Sequence, residues 1–234
     1  MKTESGYQGK EVLDIMSKYA VNRNNAIEEC IKRYFLLYET KEPKKILEFG
    51  AGSGEFINRF KKYSNLTTFA VEIDDAYFQT LSRDHRTYRH LDELHEEMDF
   101  IFAIDVLEHI QDDEGILKAF FVKLGPNGQL LVYVPARPEL YSKFDAAIGH
   151  CRRYRFTELQ QKVRDSGFTI RVARYDDFLG YFAAVFNKLT SDGSLNARAV
   201  KVYDKFLVPL TRAMESVIRP PIGKNILLVA QKVA

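Results

Sequence analysis

The spacing of apolar residues changes rhythm along the chain, and each rhythm predicts a different element. Between residues 9 and 40, Ile27, Ile31, Tyr34, Phe35 and Tyr38 recur at helical intervals, which predicts a helix presenting one apolar face. "KEPKK" breaks that pattern. From residue 44 short apolar runs alternate with amphipathic ones. "KKILEFG", "LTTFAVEID", "MDFIFAID", "GQLLVYVPA" and "FTIRVARY" read as strands, and "RTYRHLDEL" is a weak strand signal. Between them "GEFINRFKKY", "DAYFQTLSRD", "DDEGILKAFFVKL" and "FTELQQKVRDSG" read as helices.

Strands that alternate with helices predict a parallel, doubly wound sheet covered on both faces. In such sheets ligands bind beyond the carboxyl ends of the strands. The glycines after "ILEF", Asp105 and Pro135 all lie at such ends, so they are expected on one rim. After Tyr175 the alternation stops. Residues 177–219 carry two apolar helical stripes. Phe178, Phe182, Val185, Phe186 and Leu189 form the first, and Tyr203, Phe206, Leu207, Leu210, Met214, Val217 and Ile218 the second, with a kink expected at Pro209. "PPIGKN" reads as a turn and "NILLVAQKV" as a closing strand. The stripes are expected to pack as a lid or against the core. A dimer interface or a membrane-surface contact is the other reading, weakened because Asp204 and Glu215 interrupt Lys201, Lys205, Arg212 and Arg219.

Composition narrows the class. The chain has 234 residues, 46% hydrophobic and 28% charged, which suits one globular domain with an insertion. A net charge of +2 is too small to point to nucleic acid as the main partner. Cys30 and Cys151 are isolated, so neither a disulfide framework nor a cysteine zinc site is expected, and no metal is assigned. The N-terminus lacks the apolar core of a signal peptide, and no apolar run approaches the roughly 20 residues of a membrane span. A soluble cytoplasmic protein with reduced thiols is the expectation.

The stretch "ILEFGAGSGEF" carries the first chemical signal. Gly50 and Gly52 let the backbone turn and approach a ligand closely, and Gly54 opens the next helix. The third glycine comes one residue early for a dinucleotide fingerprint, and Glu55 would oppose a pyrophosphate there. Glu72 ends the second strand, 22 positions after Gly50, where a carboxylate can accept both hydroxyls of a ribose. Glycines alone can serve a turn; with Glu72 they point to a nucleoside ligand without phosphate.

The motifs "LEFGAGSGEF", "AVEID", "IDVLEHI", "LGPNGQLLVYVP" and "NILLVAQK", in this order, resemble the class I S-adenosylmethionine-dependent methyltransferases. The resemblance covers residues 46–232. It implies a Rossmann-like seven-stranded sheet in the order 3-2-1-4-5-7-6 with strand 7 antiparallel. It also implies a helical arm over residues 1–43, a cofactor-binding domain over 44–234 and a helical insertion over 177–224. By the same resemblance S-adenosylmethionine is the cofactor. Glu48, Gly50, Gly52 and Gly54 would lie along its methionine and ribose parts, and Glu72 would take the ribose hydroxyls. Ile73 would lie against the adenine and Asp92 near its amino group. Asp105, Val106 and Leu107 would line the sulfonium side, with Tyr19 or Tyr7 of the arm able to cover it.

"FDAAIGHCRRYRFTEL" resembles a bacterial subgroup with a GHxRRY signature. On this stretch His150 and Tyr154 are candidates for the reacting side, joined by His109 from "LEHI"; either histidine can take a proton near neutral pH. Arg153, Tyr141, Tyr175 and Tyr7 are candidates for holding an acidic acceptor. His109 as a packing residue at a helix start, and Tyr19 as an arm-to-core contact, remain open.

The expectation is methyl transfer to an oxygen or nitrogen of a small or carrier-linked acidic metabolite. The partner is then a small molecule, with a homodimer possible. Two other readings stay open. One is cyclisation or aminocarboxypropyl transfer, as in azetidine-carboxylate synthases, if Tyr7, Tyr141, Tyr154, Tyr175, Phe178 and Tyr181 fill the acceptor space. The other is a non-catalytic cofactor-binding partner module.

Overall fold

The computed structural model describes residues 9–35, 41–190 and 194–233. Seven strands form one sheet: β1 (Lys44–Phe49), β2 (Leu66–Val71), β3 (Arg86–Tyr88), β4 (Met98–Ile104), β5 (Leu124–Pro135), β6 (Thr169–Asp176) and β7 (Asn225–Gln231). Their order is β3-β2-β1-β4-β5-β7-β6, as the resemblance implies. β7 runs antiparallel to both neighbours, pairing Val132 with Leu228 on one side and Ala173 with Leu228 on the other.

Period-two alternation sends each strand's side chains to two cores. Leu47, Val71, Ala103 and Val132 face one, packed under α5 (Asp113–Lys123) through Leu117 and Phe120 and under α7 (Phe156–Asp165) through Leu159 and Val163. Ile46, Ala70, Phe102 and Leu131 face the other, against Ile27 and Ile31 of α2 (Val21–Tyr34) and Ile57 and Phe60 of α3 (Ile57–Phe60). The weak strand signal shrinks to the three residues of β3. α4 (Asp75–Leu81) leads into it, started by Asp74, whose carboxylate accepts from the Ala76 and Tyr77 amides.

The single helix expected over residues 9–40 is two. α1 (Lys10–Tyr19) ends at Ala20, and α2 begins at Val21. The cause lies 182 residues away: Asp204 Oδ2 accepts from the Asn22 amide at 2.9 Å. Its Oδ1 accepts from the Arg23 amide, also at 2.9 Å. A distant carboxylate thus supplies the cap that starts α2. Tyr38, counted into the helical face, lies outside the described residues, as does Tyr7.

The insertion contains α8 (Phe178–Thr190), α9 (Ala197–Val202) and α10 (Val208–Val217). Asp204 sits in a π-helical turn, Tyr203–Leu207, directly before α10. Pro209 falls in the first turn of α10, where its missing N–H costs nothing; the disturbance expected at Pro209 is the π turn upstream of it. The stripes do not pack as fully as expected. Phe186, Leu189 and Val217 are 68%, 79% and 84% exposed, and Phe182, Phe206 and Leu210 are exposed too. No helix among the described residues is long and apolar enough to cross a membrane.

Candidate functional site

The rim over the carboxyl ends of β1, β4 and β5 is a cleft whose two halves are built differently. The first half is backbone. Gly50, Gly52 and Gly54 have φ values of 71°, 52° and 79°, a left-handed path that other residues adopt at a cost. A Cβ on Gly50 would stand 2.6 Å from a Val106 methyl, and one on Gly52 2.6 Å from a methyl of Leu13 in α1. The glycines therefore let the loop pass under α1 and beside β4. Glu72 tightens it, accepting from the Gly52 amide at 2.6 Å and the Asp74 amide at 2.7 Å. Glu48, the penultimate residue of β1, accepts from the Ile57 amide at 2.8 Å. Burial pushes the Glu48 carboxyl well above the usual range, with Glu55 and Glu72 adding to it against the Ile57 hydrogen bond.

Glu55 lines the cleft but is committed to neighbouring side chains. It pairs with Arg59 and accepts from Ser17 Oγ at 2.6 Å, so it ties α1 to α3. Lys10 meets Asp74 at 3.8 Å, and Tyr77 OH donates to Asp14 at 3.2 Å. These contacts hold α1 over the glycine loop, and Gly9, Val12, Leu13 and Met16 form a wall of the cleft.

The second half is a network of side chains. Asp105 follows β4 with φ 54° and pairs with Arg23 of α2. Glu108 is fully buried, and neither carboxylate oxygen has a hydrogen-bond partner. Burial, with Asp105 adding, pushes its carboxyl well above the ordinary value. His150 Nε2 stands 3.7 Å from Glu108, while its Nδ1 is 2.8 Å from Asp145. The His109 and His150 rings meet edge-on at 4.6 Å. Burial and the neighbouring His150 push His109 down to about 4, so it is neutral at pH 7.

Asp145 holds this half together. It is fully buried and accepts from His150, from Arg153 Nε at 2.9 Å and from Ser142. Burial would raise its pKa, but His150, Arg153 and Ser142 together bring it down to about 2. Lys224 also faces the cleft, its ammonium 5.9 Å from the centre of the Tyr203 ring, and burial lowers its pKa.

The residues named from sequence separate accordingly. Glu48, Gly50, Asp105, His109, His150 and Arg153 line the cleft together, and Glu72 and Gly52 lie directly beneath it. Val106 packs on Gly50, and Leu107 turns into the core with no exposure. Ile73 is 71% exposed, and Asp92 is exposed at the far side of β3.

Others need correction. Tyr154 is not on the reacting side: it is fully buried, and its hydroxyl donates to Asp113 at 2.8 Å. Tyr175 stacks on Phe156 at 4.9 Å and lies under Arg137. Tyr141 is one layer back, donating to the His150 carbonyl at 2.7 Å. Tyr19 turns to Lys18 instead of the cleft, where Met16 and Arg23 stand in its stead. Arg153 is committed to Asp145 and to the Ala136 carbonyl, which limits its grip on an acceptor. Sequence reading missed Glu108, Arg23 and Lys224. Only Glu108 left a signal, as the neighbour of His109 in "LEHI".

A sheet of this order, with a glycine-lined cleft at its rim, defines the class I methyltransferase fold. The family model described as "Methyltransferase domain" matches residues 19–172, and the chain belongs to that family. Solved structures agree on the fold. The [4+2]-cyclase SpnF superposes with a TM-score of 0.60 at 14% identity, covering 100% of this chain and 98% of that one. Phosphoethanolamine N-methyltransferase 2 of Haemonchus contortus, in complex with S-adenosyl-L-methionine, gives 0.59 at 16% identity, covering 91% of this chain and 53% of that one. The cyclopropane synthase MmaA2 of Mycobacterium tuberculosis gives 0.57 at 14% identity, covering 87% and 83%. No curated protein sequence matches the chain.

Proposed function

We propose that the chain transfers the methyl group of S-adenosylmethionine to an oxygen or nitrogen of a small or carrier-linked acidic metabolite. The observation that carries this reading is the meeting, in one cleft, of the left-handed glycine loop over Glu72 with the polar corner of Glu108, His109 and His150. The residues fit the cofactor. The loop offers backbone where side chains would collide, and Glu72 keeps acceptor lone pairs for ribose hydroxyls beyond the two amides it already serves. When bound, S-adenosylmethionine supplies a methyl group activated by positive sulfur.

This chain's own residues then have three tasks. Gly50, Gly52 and Glu72 bind and orient the nucleoside end. α1 and Leu13 roof the loop and keep water out. His150, fixed by Asp145, orients the acceptor's nucleophilic atom, and Lys224 holds its acidic group, the part assigned from sequence to Arg153. In-line displacement needs mainly this alignment. Two free cysteines, one of them exposed, suit a biosynthetic step in a reducing cytoplasm.

Cyclisation of the cofactor is the weaker reading. Of the aromatic side chains proposed to fill the acceptor space, Tyr141, Tyr154, Tyr175, Phe178 and Tyr181 are not among the cleft-lining residues; Phe56 and Phe144 are. Incubation with S-adenosylmethionine and fractionated acidic metabolites tests the proposal. S-adenosylhomocysteine with a methylated product is the expected result. Methylthioadenosine would mean cyclisation or aminocarboxypropyl transfer, and calorimetry showing no affinity for S-adenosylhomocysteine would remove the cofactor.

A further inference from the structure

The insertion helices carry an apolar surface that the rest of the described chain leaves uncovered. Of the thirteen large apolar side chains exposed among the described residues, nine lie between positions 182 and 218. Single exposed apolar residues are ordinary on a protein surface; a concentration of this kind marks an interaction face. The residues are ordered along their helices. Phe182, Phe186 and Leu189 recur at helical spacing on α8. Val202, Phe206 and Leu210 recur every fourth residue from α9 through the π turn into α10, and the wide π turn keeps that spacing on one side. The two stripes are tied together where Glu215 of α10 accepts from the Phe178 amide at 2.9 Å.

The exposed charges among these stripes have one sign. In sequence Asp204 and Glu215 interrupt the basic residues, but the fold turns both inward. Asp204 is buried as the cap of α2, and the Glu215 side chain is 5% exposed. Arg212 turns inward with them, to Asp176 at 3.5 Å. Arg198, Lys201, Lys205 and Arg219 stay exposed, and no acidic side chain is exposed among the described residues from 178 to 219. Lys188 is exposed as well and donates to the Glu139 carbonyl, while the Glu139 carboxylate is paired with Arg137 at 3.4 Å.

We propose that this face docks on an anionic lipid surface. The phenylalanine and leucine stripes enter the headgroup boundary, and the lysines and arginines meet lipid phosphates. A second copy of the chain fits the charges worse. A two-fold contact brings Lys201 and Lys205 against the same positive face, with no exposed acid of the insertion to match them. An acidic protein also fits worse. Lysine is depleted at protein interfaces, whereas at a lipid surface its stem lies along apolar groups and its ammonium reaches the phosphates. The face adjoins the cleft: Leu195, just before α9, lines it, and α9 packs on α1, its roof. On the methyl-transfer reading, the carrier of a carrier-linked acceptor is then a lipid. That consequence rests on the reading; the docking does not.

The test is flotation of the full-length protein with vesicles of phosphatidylcholine alone and of equal parts phosphatidylcholine and phosphatidylglycerol. Wild type should float with the mixed vesicles and not with phosphatidylcholine alone, and raised salt should release it. Lys201→Glu combined with Lys205→Glu should weaken binding at least about tenfold. Phe186→Ser combined with Phe206→Ser should weaken it at least about tenfold as well. Val122→Ser, on α5 and as exposed as Phe186, should leave binding unchanged. Circular dichroism and the urea midpoint check that each variant is folded. Absence of wild-type binding to the mixed vesicles, or binding indifferent to both double variants, overturns the proposal. Dimerisation in ultracentrifugation that the phenylalanine variants abolish, without vesicle binding, gives the face to a second copy and overturns it too. S-adenosylhomocysteine affinity measured on the same samples separates the two conclusions. Nucleoside binding without vesicle binding refutes the docking alone, and vesicle binding without nucleoside affinity refutes the methyl-transfer reading alone.

Discussion

The two halves of the cleft are made from different materials. The cofactor half is a backbone path: three left-handed glycines, a Cβ-free passage beside Val106, and one carboxylate, Glu72, bonded to two amides of neighbouring loops. The acceptor half is side chains from four places in the chain: Asp105 and Glu108 after β4, Asp145 and His150 after β5, Arg23 from α2, and Lys224 before β7. Backbone conformation is local and leaves a mark in sequence. A charge network is assembled by folding, and its members carry no spacing rule. On the proposed function, the first half serves one constant ligand, and the second can be refitted to a different acceptor without moving the sheet.

The largest effect is expected where the acceptor half is most interdependent. Asp145→Ala leaves His150 and Arg153 without their shared carboxylate in a buried setting, a loss of about 3–5 kcal/mol. Urea unfolding measures it, and a loss under about 1 kcal/mol would mean the network is not what holds this half. Gly50→Ala probes the backbone half. It forces a left-handed alanine, about 1–3 kcal/mol of strain, and pushes its methyl into Val106. Affinity for S-adenosylhomocysteine should fall with stability; unchanged affinity would detach the loop from the cofactor.

Glu72→Ala should cost about 1–3 kcal/mol of cofactor affinity, measured by calorimetry, with the acceptor Michaelis constant unmoved. Tyr154→Phe should cost about 1–2 kcal/mol of stability by removing a hydrogen bond to a carboxylate, with turnover unchanged. A large fall in turnover at constant stability would return Tyr154 to the reacting side.

The smallest effect is the acid limb of Asp113. Burial would raise its pKa, but hydrogen bonds from Lys162, Tyr154 and Arg152 outweigh that and hold it below the ordinary value. A depressed folded-state pKa gives stability that is present above the unfolded value of about 3.9 and is lost as pH falls through the folded value. The stability gap between wild type and Asp113→Asn should therefore be flat at neutral pH and close below about pH 4. A gap that does not change with pH would show that the contribution is not electrostatic.

How much was legible follows from the same division. Strand positions, the glycine loop and Glu72 could be read because strand alternation, glycine in a tight turn and the span between two strand ends are all local in sequence, whereas the sheet order came only from the family resemblance. The break at Ala20 could not, because the cap that makes it comes from Asp204. Tyr154 and His150 stand in one short motif, and the structure sends them opposite ways. Tyr154 goes to Asp113 at the start of α5, and His150 to Glu108 on the rim. A tyrosine in a basic run looks exposed in sequence; only the presence of Asp113 below it makes full burial tolerable.

By itself, the sequence determined which segments are strands, which turn must be glycine, and that a nucleoside-sized ligand belongs at the rim. These follow from steric limits on single residues and from the period of side chains along a strand. Tertiary structure decided which charges meet. Asp145 gathers His150 and Arg153, and Arg23 reaches Asp105, because packing brings distant carboxylates and cations into a space with little water, where an unmatched charge is costly. Local sterics act within a few residues, whereas electrostatic matching acts through space, so the fold alone could choose the partners.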